Sequence, residues 1–319
     1  MRRLARWLGR ALLIGLAALG LWLATVPTPD TDRAVVEAKY AVPGGGRFIE
    51  HEGARIHWRE AGCADCPPLL LLHGLGASVH AWLPLEAELG ERFRLISLDF
   101  PAHGFSLPRP DDDYSNDALV EAAAAVAREA GLTRFGLVGH SLGGMVAWRY
   151  AAARPEEVSG LFLIAPAGEA QPDARAPGAL SRLARWAIHG EATIWLAERL
   201  TPRWFIEESL KGSVGDPALA TPEAVDRYWE MVRQPGNRRA QIVWAKSPRS
   251  QLRLPSDVKA ETVVIWGGAD RLLPPERAET FAAAIPGARA VILPGLGHLP
   301  MEEAPGRVAD EVEGLMAGR

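Results

Sequence analysis

Apolar residues along this chain recur with two alternating periods, and the alternation predicts an α/β fold. Short apolar runs bounded by glycine, proline or charged residues are typical of strands that are buried on both faces. Between them lie longer stretches with apolar residues every three or four positions, which indicate amphipathic helices. Strands and helices that alternate in this way form βαβ units around a mostly parallel sheet.

The pattern predicts an eight-stranded sheet with an antiparallel hairpin at one edge. The hairpin comprises RFIEHEG and ARIHWREAG, in which apolar and polar residues alternate. The predicted buried strands cover residues 69–74, 94–100, 135–140, 160–168, 262–268 and 288–295. The predicted helices, which should cover both faces, span residues 81–89, 116–130, 142–153 and 275–285, and a last helix begins near Pro300.

A long stretch without strand patterns interrupts the sheet. From about residue 171 to residue 258 the chain has only helical patterns rich in arginine, alanine and tryptophan. We therefore predict a helical cap over residues 171–255, inserted into a core that comprises residues 46–170 and 256–319. Large aromatic side chains of this cap either hold its helices to the core or line an acyl pocket. They are Trp186, Trp195, Trp204, Phe205, Trp229 and Trp244.

The extreme N-terminus has the pattern of a transmembrane signal anchor. Four arginines within the first ten residues precede an uncharged, mostly apolar run over residues 11–26, which Pro27 ends. At about 1.5 Å per residue the run is slightly shorter than a bilayer core of about 30 Å, and snorkelling arginines close the gap. We predict an anchor over residues 1–27 with a cytoplasmic N-terminus, a tether over residues 28–45, and an extracytoplasmic catalytic domain.

A cleaved signal peptide with secretion of the mature chain is the alternative, and fractionation separates the two. Cleavage after Ala24 would place Trp22 at the −3 position, and cleavage after Val26 would place Pro27 next to the cut, so neither site is favourable. We expect the full-length protein to sediment with membranes and to need detergent for release, with an intact N-terminus by mass spectrometry. A shortened chain in the soluble fraction would contradict the anchor.

Composition narrows the classes of function. Hydrophobic residues make up 48% and charged residues 23% of the chain, which are values of a folded globular protein. The formal net charge of −4 gives no basis for nucleic-acid binding. Cys63 and Cys66 in GCADCPP fit either a turn closed by a short disulfide or a turn with free thiols, because the further ligands of a zinc site are not evident nearby.

The pentapeptide GHSLG supplies a candidate nucleophile, Ser141. It fits the pattern G-x-S-x-G, in which a strand turns abruptly into a helix and presents the serine at the apex. Side chains at Gly139 and Gly143 would collide in so tight a turn. The flanking FGLVG and MVAWRYAA provide the strand and the helix that the motif requires, so we predict that Ser141 is catalytic.

A serine hydroxyl needs a base to take its proton and a further group to orient that base. His298 is the best candidate base, because it lies in the loop PGLGH directly after the last predicted strand. Asp270 is the predicted orienting acid, since it follows the strand TVVIWGG in the next loop. We expect the side chain of His140 to point away from the apex and to pack behind the site.

Acyl transfer also requires N–H donors for the charge that develops on the carbonyl oxygen. The loop HGLGAS follows the strand over residues 69–74, and we assign one donor to the amide of Leu75. The second donor is the amide of Leu142, directly after the nucleophile. The predicted chemistry uses neither a cofactor nor a metal.

In this order the motifs resemble the serine hydrolases of the α/β-hydrolase fold superfamily, specifically its capped branch, over about residues 45–319. The resemblance rests on HGLGAS, LDFPAHGFS, GHSLGG, WGGAD and GLGH, each at the end of an expected strand. It implies that Asp99 and His103 are structural supports of the site. Ala102 departs from the glycine that many similar chains have at its position. Chains that combine an N-terminal anchor with this pattern resemble membrane-bound monoacylglycerol lipases and bacterial esterases.

The resemblance implies a hydrolase that cleaves lipophilic or monoacylglycerol-like carboxylic esters through an acyl-enzyme on Ser141. The same triad could instead cleave a carbon–carbon bond, a lactone or an amide. A non-catalytic binding protein of the same fold is a further alternative, but such proteins typically lack a triad residue, whereas this chain has all three. The expected partners are therefore a small lipophilic ester and, through the N-terminal helix, a membrane.

Overall fold

Within the described residues, eight strands form one sheet. The computed structural model describes residues 27–42, 44–168, 198–246 and 254–317, together with Gly15 and Trp195. The strands are β1 (Arg47–His51), β2 (Ala54–Gly62), β3 (Pro68–Leu72), β4 (Arg94–Leu98), β5 (Phe135–His140), β6 (Val158–Ile164), β7 (Thr262–Gly267) and β8 (Arg289–Leu293). Their order is β1-β2-β4-β3-β5-β6-β7-β8, with β2 antiparallel to both neighbours and the other pairs parallel. The predicted mostly parallel sheet with its edge hairpin is confirmed.

Apart from α1, which lies in the stretch predicted as a tether, the helices follow the predicted order, with two further differences in detail. They are α1 (Arg33–Lys39), α2 (Leu83–Leu89), α3 (Asn116–Glu129), α4 (Leu142–Ala153), α5 (Arg203–Ser213), α6 (Pro222–Val232), α7 (Asn237–Lys246), α8 (Arg277–Ala284), α9 (Pro300–Glu303) and α10 (Pro305–Met316). A 3₁₀ turn at Val79–Trp82 precedes α2. The last predicted helix is divided at Ala304, whose φ and ψ are −149° and 67°, because Pro305 disfavours a helical conformation at the preceding residue.

The consecutive leucines of β3 show why the central strands are continuous apolar runs. Side chains alternate between the two faces of a strand, so Leu70 and Leu72 pack with helices α3, α4 and α8 on one face. Leu69 and Leu71 pack with α2 and α10 on the other face. Because both faces are covered by helices, every position of such a strand must be apolar.

The turn after β4 is held by the buried carboxylate of Asp99. It accepts hydrogen bonds from His57 Nδ1 at 2.7 Å and from two backbone amides at 2.7 and 2.9 Å. Burial would raise the pKa of Asp99, but these interactions, with that of His57 the largest, lower it to about 2. His103 is also buried and its ring bonds to the carbonyl of Pro101. Ala102 has a φ of +59°, a conformation that favours glycine and explains the glycine of similar chains.

Cys63 and Cys66 form a disulfide in the turn between β2 and β3. Their Cα atoms lie 5.3 Å apart, which is within the usual range for this bond. Of the alternatives that the spacing allows, the structure therefore has the closed turn.

The stretch predicted as a tether is attached to the rest of the protein. Within residues 28–45 the chain forms α1, and the Asp32 side chain accepts the Val35 amide at its N-terminus. Upstream of this helix, Asp30 accepts a hydrogen bond from Arg238 Nη2 at 2.6 Å. At its end, Lys39 pairs with Glu230 at 2.8 Å. These contacts hold the segment against α6 and α7, in contrast to a free linker.

In the part of the chain that the structure describes, no helix is long and apolar enough to cross a membrane. The anchor predicted over residues 1–27 lies outside the described residues, apart from Gly15 and Pro27. The transmembrane helix therefore remains a prediction from the sequence.

Between β6 and β7 the described part of the chain leaves the sheet. The described residues 198–246 of this stretch form α5, α6 and α7 and contain no strand. We refer to these three as the insertion helices. The remainder of the predicted cap, including Trp186, lies outside the described residues.

Candidate active site

Ser141 lies at an abrupt turn between β5 and α4. Its φ of +50° and ψ of −112° are unfavourable for a residue with a side chain. Both backbone polar groups of Ser141 are hydrogen-bonded. Its N–H donates to the carbonyl of Ile164 at 2.9 Å, and its carbonyl accepts the amides of Met145 and Ala167 at 3.0 and 2.8 Å. Hydrogen bonds from β6 and its following loop therefore stabilise a strained backbone that presents the serine side chain.

The glycines around Ser141 are required by close backbone contacts. A Cβ on Gly143 would overlap the carbonyl oxygen of Leu72 and lie 2.6 Å from that of His73, at the end of β3. A Cβ on Gly139 would lie 2.7 Å from the Cβ of Ala147. The first turn of α4 thus packs directly on the ends of β3 and β5, as the pattern G-x-S-x-G predicts.

The structure brings His298 and Asp270 into contact. His298 Nδ1 lies 2.7 Å from Asp270 Oδ2, and both residues are buried. The carboxylate also accepts hydrogen bonds from Trp266 Nε1 at 3.1 Å and from the amides of Leu272 and Leu273 at 2.8 and 2.9 Å. Because an ionised carboxylate only accepts, the Nδ1–H of His298 is the donor, and Nε2 of the neutral ring is left as a base.

His140 fixes the loop that carries His298. Its Nε2 lies 2.8 Å from the carbonyl oxygen of His298, so Nε2–H must donate. Burial, and then the neighbouring His298, hold the pKa of His140 well below its usual value. A neutral ring at this position adds no positive charge beside His298, whose ring centroid is 4.8 Å away. The expectation that His140 packs behind the apex thus gains a specific contact.

The two residues assigned as N–H donors lie at the same cavity as the serine and the histidine. Ser141, His298, Leu75 and Leu142 all line it. Leu142 is the first residue of α4, and Leu75 lies in the loop after β3. A Cβ on Gly74 would lie only 3.3 Å from the Cβ of Ser141, so this loop runs directly beside the nucleophile.

The cavity has a volume of about 350 Å³ and is lined mainly by apolar side chains. The insertion helices contribute Phe205, Ile206, Leu210, Val232 and Trp244, together with the polar residues Ser209, Ser213, Tyr228 and Gln241. Of the five tryptophan and phenylalanine residues of the predicted cap that the structure describes, Phe205 and Trp244 line the cavity. Trp195 and Trp204 are exposed, and Trp229 donates its indole N–H to the carbonyl of Thr201 at 2.6 Å.

The family follows from comparison with known proteins. A protein-family model described as the alpha/beta hydrolase fold matches residues 67–305, which is most of the chain. The chain belongs to the alpha/beta hydrolase family. This match covers the Ser141 turn, the Asp270 loop and the His298 loop, and the family of hydrolases that the motifs resemble is thereby confirmed.

Relatives within the alpha/beta hydrolase family include several of related length. An uncharacterized protein of Mycobacterium tuberculosis is 30% identical over 286 residues, covering 85% of this chain and 80% of the relative. Monoacylglycerol lipase ABHD6 of Homo sapiens is 28% identical over 282 residues, covering 85% and 82%. The crystal structure of a membrane phospholipase A, described as a bacterial virulence factor, is 27% identical with a TM-score of 0.69, covering 100% and 99%. The lipase and the phospholipase support a hydrolase.

Sequence reasoning missed the part that Glu302 and Glu303 play in this hydrolase. Their positions indicate only that they favour the N-terminal turn of a helix through its dipole. In the structure, Glu303 accepts the amides of Gly215 and Gly297 at 2.7 and 2.9 Å, and Glu302 accepts the Tyr228 hydroxyl at 2.5 Å. Glu302 thus links α9 to α6, and Glu303 links α9 to the loop just after α5. No local motif marks a contact between residues so distant in sequence.

The turn at Ser141 predicts a large effect of a single methyl group. Gly143→Ala should lower the free energy of unfolding by about 3 kcal/mol, because the new Cβ forces α4 away from the Leu72 carbonyl. Gly314→Ala is the matched control: it lies in α10 with no neighbouring atom within 4 Å of the new Cβ, and should raise stability by about 0.5–1 kcal/mol. Urea unfolding measures both. Equal stabilities of the two variants would contradict the close packing.

Proposed function

We propose that this protein is a serine esterase that hydrolyses lipophilic carboxylic esters. In this proposal Ser141 is the nucleophile, His298 the general base and Asp270 the group that orients it. One observation carries the proposal: a histidine held by a buried carboxylate at 2.7 Å lines the same cavity as a serine at a strained strand-to-helix turn. Such an arrangement activates an otherwise weak hydroxyl nucleophile.

The first half of the reaction forms an acyl-enzyme. His298 Nε2 takes the proton of the Ser141 hydroxyl as Oγ forms a bond to the ester carbonyl carbon, and the carbonyl electron pair moves to its oxygen. The amides of Leu75 and Leu142 donate to this oxyanion, a contribution of about 10²–10³ in rate for each donor. When the intermediate collapses, the bond to the alcohol oxygen breaks, and His298 gives its proton to the leaving alcohol.

The second half reverses these roles with water. His298 Nε2 takes a proton from water as the water oxygen attacks the acyl carbon. When the tetrahedral intermediate collapses, the bond between the acyl carbon and Ser141 Oγ breaks, the carboxylic acid leaves, and His298 gives the proton back to Oγ. Asp270 stabilises the imidazolium in both halves through Nδ1–H and does not itself take the proton. The fixed bonds from Trp266 and the Leu272 amide keep this carboxylate in place.

The lining of the cavity supports a lipophilic acyl group. Phe205, Ile206, Leu210 and Trp244 face it from the insertion helices, and burial of apolar chain surface is worth about 25 cal/mol per Å². The similarity to monoacylglycerol lipase ABHD6 supports the same class of substrate. The similarity to a protein described as a membrane phospholipase A supports a substrate drawn from a membrane.

Substitution of the three proposed catalytic residues tests the reaction. Ser141→Ala and His298→Ala should each lower kcat for p-nitrophenyl butyrate by about 10⁶-fold, and Asp270→Asn by about 10⁴-fold, because the residues act as a unit. Thermal unfolding should still show a folded protein. The control is Ser256→Ala, an exposed serine in a short 3₁₀ helix, which should retain wild-type kcat. Hydrolysis by folded Ser141→Ala at the wild-type rate would contradict the proposal.

Filling the cavity tests where the acyl chain binds. Ile206→Trp should lower kcat/KM for the decanoyl ester by at least about 10-fold and leave the butyryl ester within about threefold, since the larger side chain occupies the space for the distal methylenes. Rates with a series of p-nitrophenyl esters measure this preference. Ile292→Trp, at an exposed isoleucine of β8, is the control and should keep the wild-type profile. A parallel loss for all chain lengths would contradict the assignment.

A further inference from the structure

The backbone around His298 is held from three different parts of the structure. The His298 N–H donates to the carbonyl of Ser213 at 2.6 Å, at the end of α5. The His298 carbonyl accepts from His140 Nε2 at 2.8 Å, just before the proposed nucleophile. The preceding amide, of Gly297, donates to Glu303 Oε1 at 2.9 Å. The orientation of the imidazole therefore depends on groups that lie far away in sequence.

Glu303 connects two of these parts through one carboxylate. Its Oε1 accepts the amides of Gly297 and Leu299 at 2.9 and 3.3 Å, on either side of His298. Its Oε2 accepts the amide of Gly215 at 2.7 Å, two residues beyond α5, and also lies 3.1 Å from the Gly297 nitrogen. The contact is tight, since a Cβ on Gly297 would lie 2.6 Å from both the Gly215 nitrogen and the Ser213 carbonyl oxygen.

Helix α5 also faces the cavity. Residues at helical spacing along it, from Phe205 and Ile206 to Leu210 and Ser213, line the space beside Ser141. Because a helix moves as a rigid element, a shift of α5 against the contents of the cavity also moves its C-terminal end. That end provides the Ser213 carbonyl and, two residues later, the Gly215 amide, so the same shift changes the support of His298.

We propose that Glu303 is a positioning residue that makes the orientation of His298 depend on the position of α5 at the cavity. This inference rests on the proposed ester hydrolysis. An acyl chain that fills the cavity holds α5 in place, and through Gly215, Glu303 and Gly297 it holds the base in line with Ser141. Contacts with the remote acyl chain would then raise kcat as well as affinity, as expected when binding energy is used for alignment.

The test compares Glu303→Gln with Glu302→Gln. A glutamine at position 303 has one accepting oxygen. If that oxygen replaces Oε1, the Gly215 amide loses its acceptor. If it replaces Oε2, the side-chain NH2 faces the amides of Gly297 and Leu299, which are both donors. Glu302 is the matched control, because it also joins α9 to the insertion helices, through Tyr228 Oη at 2.5 Å and Arg227 Nη2 at 3.2 Å. Its substitution removes the same charge from the neighbouring position, and a glutamine oxygen can still accept from Tyr228.

Esters of two acyl lengths give the kinetic readout. In the wild type, kcat for the decanoyl ester should exceed kcat for the butyryl ester. In Glu303→Gln we expect kcat for the decanoyl ester to fall about 10²-fold, as for a small misplacement of a reacting group, with KM within about threefold and the ratio of the two kcat values near one. Glu302→Gln should keep the wild-type ratio.

A spectroscopic readout separates this inference from the proposed function. The Nδ1–H of His298 in its hydrogen bond to Asp270 should give a low-field proton signal, which Glu303→Gln should shift or broaden and Glu302→Gln should leave unchanged. That result would support the positioning role even if the wild type hydrolysed no ester. If Glu303→Gln does not fold, Glu303→Asp, whose shorter side chain cannot span both amides, should give the same changes at smaller size.

Several outcomes would overturn the inference. A wild-type ratio of kcat values at or below one would remove the dependence on the acyl chain. Wild-type kinetics and an unchanged proton signal in Glu303→Gln would remove the role of Glu303. Equal losses in Glu302→Gln and Glu303→Gln, with equal decreases of the melting temperature, would show a structural clamp only.

Discussion

The close packing of the first turn of α4 against the ends of β3 and β5 is the constraint on which the site depends. Two carbonyl oxygens at the end of β3 lie where a side chain at position 143 would be. Because Gly143 has none, α4 can lie close enough to β3 for Ser141 to adopt its strained conformation. Every other part of the site is arranged around this turn. The loops after β3, β7 and β8 reach it because the carboxyl ends of parallel strands lie at the same edge of a sheet.

The insertion helices have two roles. They supply the apolar lining of the cavity, and the end of α5 holds the backbone of His298 through Ser213 and, by way of Glu303, through Gly215. The N-terminal segment adds to this arrangement, since Asp30 and Lys39 pair with Arg238 and Glu230 of α7 and α6. A segment that leads toward the predicted anchor is thus attached to the helices that line the cavity.

Much of the fold could be predicted because its signals are local. The leucine run of β3 predicts a strand covered on both faces, and GHSLG between an apolar strand and a helix predicts the Ser141 turn. The loops of Asp270 and His298 could be placed because each directly follows a buried strand, and the structure brings these two side chains to 2.7 Å. The stretch over residues 28–45 differed from expectation, because its docking depends on partners near residues 199–238 that no local pattern reveals.

The sequence by itself determined the order of strands and helices, the glycines around Ser141 and the position of each candidate catalytic residue at a strand end, because these follow from side-chain periodicity and local steric limits. Only the tertiary structure decided which of the cap residues face the cavity and that Glu303 links α5 to the loop of His298. These features depend on how helices distant in sequence pack together. A carboxylate that accepts hydrogen bonds from backbone amides requires no particular side chain at the donating residues, so the sequence does not reveal the contact. The chain thus encodes the reacting groups locally, whereas their support arises from packing.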